Sequence, residues 1–252
     1  MLSLNNCIFT TDHPYFTKFN FPAYVIHLES ATTREPLIQT LKTAMDLSFN
    51  IFQACTGAEW WQTMPRQHPW RFDTITQGMM GCAQSHLDVL RIIDGGHAYN
   101  IGEPKCSIED GEFIRTDDML AYIFEDDATL VKPVEVLNTF LHSIDKAHIE
   151  WDVILLGAND YVLSESIEDH PEVSVVKRFW GTHAMLVKRS IVPKVRKVFY
   201  NAIRNGIFLP LDWLYNESIK NEGLRVVGPT NPREFIIQAP GFVSAITGKT
   251  RF

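Results

Sequence analysis

The clearest feature of the hydrophobic pattern is a short apolar run that ends in three adjacent carboxylates. Residues 121–124 are apolar or β-favouring, and Glu125, Asp126 and Asp127 follow them directly. An apolar run bounded by charge predicts a buried strand, with the acids at the point where the strand leaves the sheet. On an extended segment residues i and i+2 point to the same side, so we expect Glu125 beside Asp127 and Asp126 turned away.

The front of the chain predicts a strand, a helix and a second strand. Residues 22–28 and 49–55 have the composition of core strands. Between them, apolar positions recur at helical spacing after Thr32 and Thr33, either of which is expected to cap the helix. This order is typical of a βαβ unit.

The remaining elements alternate in the same way. Residues 78–93 predict a helix whose glycine-containing start, including Gly81, leaves amide groups free to receive phosphate. Further predicted helices cover residues 133–148, 190–204 and a segment that begins at 210, and further predicted strands cover 151–157, 173–176, 183–187, 226–227 and 235–237. Together these elements predict an α/β fold in a single domain over residues 1–252, with a Rossmann-type mixed sheet flanked by helices.

Composition narrows the class of protein. A hydrophobic content of 45% with 21% charged residues is ordinary for a soluble globular protein, and no run is long or apolar enough to cross a bilayer. Residues 1–6 lack the pattern of a signal peptide, so we expect a cytoplasmic protein. The four cysteines show no paired spacing, which favours free thiols. The net charge of -7 argues against a general polyanion-binding surface.

The acidic strand end suggests a metal site. Paired carboxylates can hold a hard ion such as Mg²⁺ or Mn²⁺ that keeps open positions for phosphate oxygens. In open α/β sheets, ligands bind beyond the carboxyl ends of the strands, where these acids are expected to lie. The alternative is a solvated strand end whose acids happen to cluster.

Seven motifs in one order resemble glycosyltransferase family 25, which contains lipooligosaccharide-type glycosyltransferases and collagen hydroxylysine galactosyltransferases. The motifs are residues 24–28 with Arg34, 81–86, 124–128, 155–157, 181–184, 211–213 and 232–246. The resemblance implies a GT-A fold, a nucleoside-diphosphate sugar donor and transfer with inversion. It also implies a donor-binding half at about residues 20–130 and an acceptor-side half at about 131–252.

The resemblance implies roles for individual residues. Asp127 is expected to bind the metal, with Glu125 and Asp126 shared between the metal, its waters and the donor ribose. If the site is metal-free, Arg34, Lys249 and Arg251 are the candidates to neutralise the diphosphate, although each alone could be an ordinary solvated charge. The residues expected to contact the donor are His27, Arg34, Gly81, Ser85, His86, Glu125, Asp126, Ser244 and Lys249.

Inversion requires one carboxylate to take the proton from the acceptor hydroxyl. Asp212 is the first candidate, because it opens a predicted helix and lies where the family carries an Asp. The alternative is that Asp212 simply caps that helix. Asp160, just beyond a predicted strand end, is the second candidate, and His183 could reach the metal or the acceptor.

The sequence departs from the family at two positions and leaves alternatives open. The family usually has Asn where this chain has His27 and Glu where it has Met79, so donor preference could differ. We expect an inverting transferase that uses a UDP-sugar, with a hexose as the transferred group and a glycan, a protein hydroxyl or a modified nucleobase as acceptor. The alternatives are a metal-dependent phosphohydrolase or nucleotidyltransferase, and a non-catalytic module that binds sugar nucleotides.

Overall fold

The computed structural model describes residues 21–58, 74–95, 120–205 and 207–240. Within them the strands are β1 (Ala23–His27), β2 (Phe49–Gln53), β3 (Leu120–Glu125), β4 (Ala128–Leu130), β5 (Val153–Gly157), β6 (Asp160–Ile167), β7 (His170–Trp180), β8 (Ala184–Lys188), β9 (Val226–Pro229) and β10 (Ile236–Gln238). The helices are α1 (Glu35–Met45), α2 (Thr74–Ile93), α3 (Val134–Lys146), α4 (Ile191–Arg204) and α5 (Leu211–Glu222).

Eight of these strands form one mixed sheet. Their order is β2-β1-β3-β8-β5-β9-β7-β6, and β4 and β10 form a separate two-stranded sheet. The pairs β1–β2, β1–β3 and β5–β9 are parallel, whereas β8 runs antiparallel to both β3 and β5. The sheet therefore combines strands from both of the predicted halves of the chain.

The sheet is covered by helices on both faces. Successive side chains of a strand point to opposite faces, and in β1 Tyr24 and Ile26 enter one hydrophobic core while Ala23 and Val25 enter the other. The first core includes apolar side chains of α2, α4 and α5, and the second includes those of α1 and α3. This arrangement confirms the predicted fold class, an α/β fold with a mixed sheet flanked by helices. None of the helices in the described ranges combines the length and the apolar character that a membrane crossing requires.

Strand direction determines where the site forms. Because β1, β2, β3 and β5 run the same way, their carboxyl ends meet at one edge of the sheet. The acidic run leaves the sheet there, since β3 ends at Glu125 and the next two residues form a turn. The predicted pairing of Glu125 with Asp127 assumed an extended segment. That assumption is wrong, because residues 126–127 turn.

The start of α1 also differs from the prediction. Thr32–Arg34 form a 3-10 turn, α1 begins at Glu35, and neither segment has a side-chain cap hydrogen bond. The predicted threonine cap is therefore wrong. The turn instead brings Arg34, at its end, into the protein interior.

Gly81 has a different role from the one predicted. Helix α2 begins at Thr74, so Gly81 lies inside the helix and its amide is not free at a helix start. A Cβ on Gly81 would lie 2.4 Å from the backbone oxygen of Cys55. The glycine therefore permits α2 to pack against the segment that follows β2, and the prediction that it receives phosphate is wrong.

We expect Gly81→Ala to destabilise the protein. Alanine favours a helix by up to about 1 kcal/mol, but the clash involves backbone that cannot rotate away, and overpacking an interior costs about 1–3 kcal/mol. Urea denaturation would measure the loss. Gly228→Ala is the matched control, because its Cβ would meet no atom closer than 3.4 Å. Equal stability of the two variants would contradict the close approach of α2.

Candidate active site

A cavity of about 590 Å³ lies at this edge of the sheet. Its lining comes from the ends of β1, β2 and β3, from one face of α2, and from the segments that precede β8 and begin α5. The polar lining residues on which the following description depends are Arg34, Ser85, His86, Glu125, Asp126, Asp127, Asn159, Thr182, His183, Asp212 and Gln238.

Arg34 holds two of the three acids of the strand end. Its Nη1 atom donates to Oδ1 of Asp126 and lies 3.4 Å from Oδ2 of Asp127. Arg34, Asp126 and Asp127 are only 8%, 5% and 3% exposed. The two alternatives, a solvated strand end and a solvated Arg34, are therefore wrong. Burial alone would lower the pKa of Arg34, but the charges of Asp126 and Asp127 outweigh it and raise the pKa.

His27 contacts Asp126 from outside the cavity. Its Nδ1 atom lies 2.9 Å from Oδ2 of Asp126, and His27 itself does not line the cavity. Both carboxylate oxygens of Asp126 are thus engaged by protein partners, one by His27 and one by Arg34. We conclude that His27 positions Asp126, and that Asp126 in turn positions Arg34. The predicted direct contact of His27 with the donor is not supported.

Asp127 is buried without full pairing. Its Oδ2 atom accepts a hydrogen bond of 2.8 Å from the Gln238 amide, whereas its Oδ1 atom has no partner among the described residues. Burial and the charge of Glu125 raise the pKa of Asp127, and Arg34 only partly opposes them. A buried carboxylate with an unpaired oxygen is a ready ligand for a cation.

Glu125 turns away from Arg34 and towards two histidines. The Thr182 hydroxyl donates to Oε1 of Glu125 at 2.6 Å. The same oxygen lies 3.8 Å from Nε2 of His86, and Oε2 lies 3.8 Å from Nδ1 of His183. Burial alone would raise the pKa of Glu125, but the rings of His183 and His86 and the Thr182 hydroxyl lower it below the ordinary value.

A glycine turn delivers Thr182 and His183 to the site. Gly181 has a φ of +82°, which favours glycine, and a Cβ there would lie 2.7 Å from the Asn159 side chain. Nε2 of His183 lies 3.1 Å from Oδ1 of Asn159, and the Glu125 amide donates to the His183 carbonyl at 2.9 Å. These bonds hold His183 at the end of β3. The sequence indicates His183 as a residue that could reach the metal or the acceptor.

One face of α2 contributes Ser85 and His86. The Ser85 hydroxyl donates to the Gly81 carbonyl at 2.7 Å and accepts from the Cys55 amide at 2.9 Å, so Ser85 joins the helix to the segment after β2. His86 is fully buried, and neither ring nitrogen has a hydrogen-bond partner among the described residues. Burial lowers the pKa of His86 to about 4, although Glu125 acts in the opposite direction. Its ring is therefore neutral near pH 7.

Of the two candidate bases, the structure brings Asp212 to the cavity. Asp212 is the second residue of α5, whose N-cap is Pro210, so it does not occupy the capping position. Its Oδ2 atom accepts from the Gly181 amide at 3.4 Å and its Oδ1 atom from the Trp213 amide at 3.0 Å. Burial raises the pKa of Asp212, and the charge of Glu125 adds to this effect.

Other candidates are not brought to the cavity or lie outside the described residues. Asp160 is exposed at the start of β6, where its Oδ1 atom accepts from the Tyr161 amide, and it does not line the cavity. Asn159, the residue before Asp160, lines the cavity at the position where Asp160 was expected. Ser244, Lys249 and Arg251 lie outside the described ranges.

Sequence reasoning missed three polar residues of the site. Thr182 and Gln238 were included in the family motifs without a role, and Asn159 was not singled out. The available signal was position, since Asn159 directly precedes β6, Thr182 lies in the short connection between β7 and β8, and Gln238 ends β10. Met79, one of the two departures from the family, also lines the cavity.

Comparison with protein families gives a match over the front of the chain. Residues 20–93 match the model of glycosyltransferase family 25 (LPS biosynthesis protein). The match agrees, over these residues, with the resemblance that the motifs indicate. The matched residues run through β1, α1, β2 and α2, and so include Arg34, Ser85 and His86. The family match supports a glycosyltransferase. No curated protein matches the chain.

Solved structures resemble the chain distantly. A197 from STIV is 13% identical with a TM-score of 0.38, and the alignment covers 87% of this chain and 94% of that chain. A Drosophila galactosyltransferase 7 mutant in complex with manganese, UDP-Gal and xylobiose is 9% identical with a TM-score of 0.37, over 86% and 69% of the two chains. A Bacillus anthracis protein described as a glucose-1-phosphate thymidylyltransferase is 8% identical with a TM-score of 0.36, over 81% and 66%.

We expect Asp127→Asn to stabilise the protein at pH 7, by about 0.5–2 kcal/mol, the range typical of a stabilising substitution. The raised pKa of Asp127 means that ionisation favours the unfolded state. The gain should vanish below the ordinary Asp pKa of about 3.9 and grow as the pH rises through the higher folded value. Urea denaturation across this pH range would measure it.

Asp152→Asn is the control for this variant. Oδ2 of Asp152 accepts from Lys194 Nζ at 3.1 Å and from the Arg225 amide at 2.9 Å, so neutralising it should remove favourable contacts. Stability that falls in both variants at pH 7 would contradict the description of Asp127 as an unfavourably buried carboxylate.

Proposed function

We propose that this protein is an inverting glycosyltransferase that transfers a hexose from a UDP-sugar to an acceptor hydroxyl. The observation that carries the proposal is one cavity that holds the acidic strand end, with Arg34, together with Asp212. The match to family 25 supports the class of enzyme. The charges and contacts in the cavity support the roles of its residues. A cytoplasmic location remains a prediction from the sequence.

The charge of the cavity favours a donor that arrives with a metal ion. Four carboxyl groups line it, those of Glu125, Asp126, Asp127 and Asp212, and Arg34 is the one Lys or Arg among its described lining residues. A diphosphate would be repelled by this excess of negative charge unless a cation came between them. We therefore propose that the donor binds with Mn²⁺ or Mg²⁺.

The residues present fit such an ion. Hard divalent ions prefer oxygen ligands, and Asp127 Oδ1 is a buried oxygen without a partner among the described residues. Asp127 would hold the ion with Glu125, and Arg34 would add positive charge beside it. A bound ion neutralises the charge that builds on the leaving diphosphate.

Asp212 is proposed as the general base. The bond between the anomeric carbon and the diphosphate oxygen breaks as the acceptor oxygen attacks from the opposite side, and the acceptor proton passes to the Asp212 carboxylate. One displacement of this kind inverts the anomeric carbon. The raised pKa of Asp212 makes its carboxylate a stronger proton acceptor, and the Gly181 and Trp213 amides fix its orientation.

The surface next to Asp212 favours a glycan among the three predicted acceptors. The Arg178 guanidinium lies between two indole rings, 4.7 Å from the centre of Trp180 and 5.2 Å from that of Trp213. Trp180 lines the cavity, and Trp213 is 44% exposed. A rigid aromatic side chain at a site rim can stack on a sugar ring with little loss of conformational freedom.

We expect Asp212→Asn to lower turnover by about 10²–10⁴-fold, the usual contribution of a general base, without weakening donor binding. Asp160→Asn is the matched control, because it makes the same chemical change three residues beyond β5 on an exposed residue. Release of nucleoside diphosphate and isothermal titration with the donor would measure the two quantities. Full turnover in Asp212→Asn would exclude it as the base.

A thermal-shift screen, together with an assay of the released product, distinguishes the alternative functions. UDP with Mn²⁺ should raise the melting temperature more than UDP or Mn²⁺ alone, because a ligand that binds only the folded state stabilises it. Release of phosphate or pyrophosphate without an acceptor would favour a phosphohydrolase or nucleotidyltransferase. Donor binding without any turnover would favour a binding module. If no nucleoside diphosphate raises the melting temperature, the proposal is wrong.

A further inference from the structure

The cavity contains a thiol, an imidazole and a carboxylate that the transfer reaction does not require as a set. Cys82 and His86 are four residues apart on α2, which places them on the same helix face, and Glu125 ends β3. One ligand atom from each of the three residues lies within 4.8 Å of the other two. The fold thus brings a thiol, an imidazole and a carboxylate, three different kinds of metal ligand, close together.

The lack of hydrogen bonds to the His86 ring independently indicates that this ring binds a ligand. The ring is fully buried, and both of its nitrogens lack a hydrogen-bond partner among the described residues. Buried polar side chains are normally hydrogen-bonded. Nε2 of His86 lies 3.8 Å from Oε1 of Glu125, which is too far for a hydrogen bond. Two ligand atoms of one tetrahedral zinc ion lie roughly 3.3–3.8 Å apart, given zinc bonds of about 2.0–2.3 Å.

We propose that Cys82, His86 and Glu125 bind one Zn²⁺ ion, or a transition-metal ion of similar softness, whose fourth coordination position faces the cavity. Thiolate with imidazole and carboxylate is a ligand set for zinc, whereas Mg²⁺ and Mn²⁺ prefer oxygen. When the ion binds, the S–H bond of Cys82 is replaced by an S–Zn bond and the proton passes to solvent. Small side-chain movements would bring the three ligand atoms to zinc bonding distances of about 2.0–2.3 Å.

This site goes beyond the proposed transfer reaction and differs from the proposed donor metal. The donor metal depends on the unpaired oxygen of Asp127, which is not part of the cluster. Glu125 belongs to both sites. Cys82 therefore identifies the zinc site, and Asp127 identifies the donor-metal site.

Cobalt absorption spectroscopy on the full chain tests the proposal directly. The protein is stripped with a chelator and titrated with Co²⁺ in the absence of any nucleotide. We expect one equivalent to bind, with a thiolate-to-cobalt charge-transfer band and intense tetrahedral bands that Zn²⁺ abolishes. Cys82→Ser should lose the charge-transfer band, and His86→Gln should weaken binding by at least about 100-fold, more than the loss of a residue that only supports a ligand.

Two variants serve as controls for the spectra. Cys55 also lines the cavity but is not part of the cluster, so Cys55→Ser should keep the charge-transfer band. Asp127→Asn should keep it as well, since Asp127 belongs to the other site. A band that is absent from the wild type, or that survives in Cys82→Ser, overturns the proposal.

A measurement on the wild type covers the case in which the variants do not fold. Zn²⁺ should protect Cys82 from alkylation by iodoacetamide, as read from the mass of its peptide, while Cys55 stays reactive. Equal modification of Cys82 with and without Zn²⁺ overturns the proposal. These experiments contain no nucleotide, so they do not test the transferase proposal. If the transferase proposal failed, the outcomes expected here for zinc binding would stay the same.

Discussion

The structure of the site depends on several carboxyl groups buried around one cavity with little positive charge beside them. Asp126 is the carboxylate that has a protein partner on both oxygens, with His27 of β1 on one and Arg34 of the following turn on the other. Removing one partner of a buried pair of this kind leaves an uncompensated charge in the interior, which is strongly destabilising. The contact therefore ties β1 and its turn to the end of β3, and the positions of Glu125 and Asp127 follow from it.

The three consecutive acids have three different environments. Asp126 is paired with cationic or polar partners, Asp127 is paired through one oxygen, and Glu125 faces two imidazole rings and the Thr182 hydroxyl. The turn at residues 126–127 separates them, because it breaks the alternation that an extended strand would impose. Within one sequence motif, Asp126 thus stabilises the fold, whereas Asp127 keeps an oxygen that can bind a ligand.

Local pattern was sufficient to predict most of the sheet and the fold class, since the strands buried on both faces are continuous apolar runs. It did not predict β6, whose residues are mostly exposed and are held by pairing with β7. It also placed the start of α2 at Gly78, because glycine is a usual boundary signal. The close approach of Gly81 to Cys55, a contact distant in sequence, explains that glycine instead.

Candidate residues of the site were predictable where a polar side chain directly follows or precedes a predicted element. They were not predictable where a side chain reaches the site through contacts that are distant in sequence. The acidic strand end was predicted from its position after an apolar run, and Asp212 from its place at the start of a predicted helix together with the family resemblance. The partners of Glu125 were not, because Thr182 is 57 residues away and reaches it only through the turn at Gly181. Asp160 was chosen by charge, but the strand end presents Asn159 to the cavity and leaves Asp160 exposed.

The departure of His27 from the family can now be interpreted physically. Its ring nitrogen contacts the Asp126 carboxylate and does not reach the cavity, so an amide that donates at the same point would serve the same purpose. Met79 is different, because it lines the cavity where the family usually carries a charged residue. Of the two departures, Met79 is therefore the one that changes the surface a donor would meet.

The polar atoms left unpaired at this site lie close together. They include Oδ1 of Asp127, both ring nitrogens of His86 and Nδ1 of His183, each without a partner among the described residues. An unsatisfied buried polar group typically costs about 1–3 kcal/mol. Other buried side-chain atoms without a partner among the described residues lie on other strands, such as Oγ1 of Thr129 and Oη of Tyr161. Those at the site differ because they face a cavity in which a cation or a substrate can satisfy them. Binding of a cation or a substrate at this site would therefore stabilise the folded state by satisfying these groups.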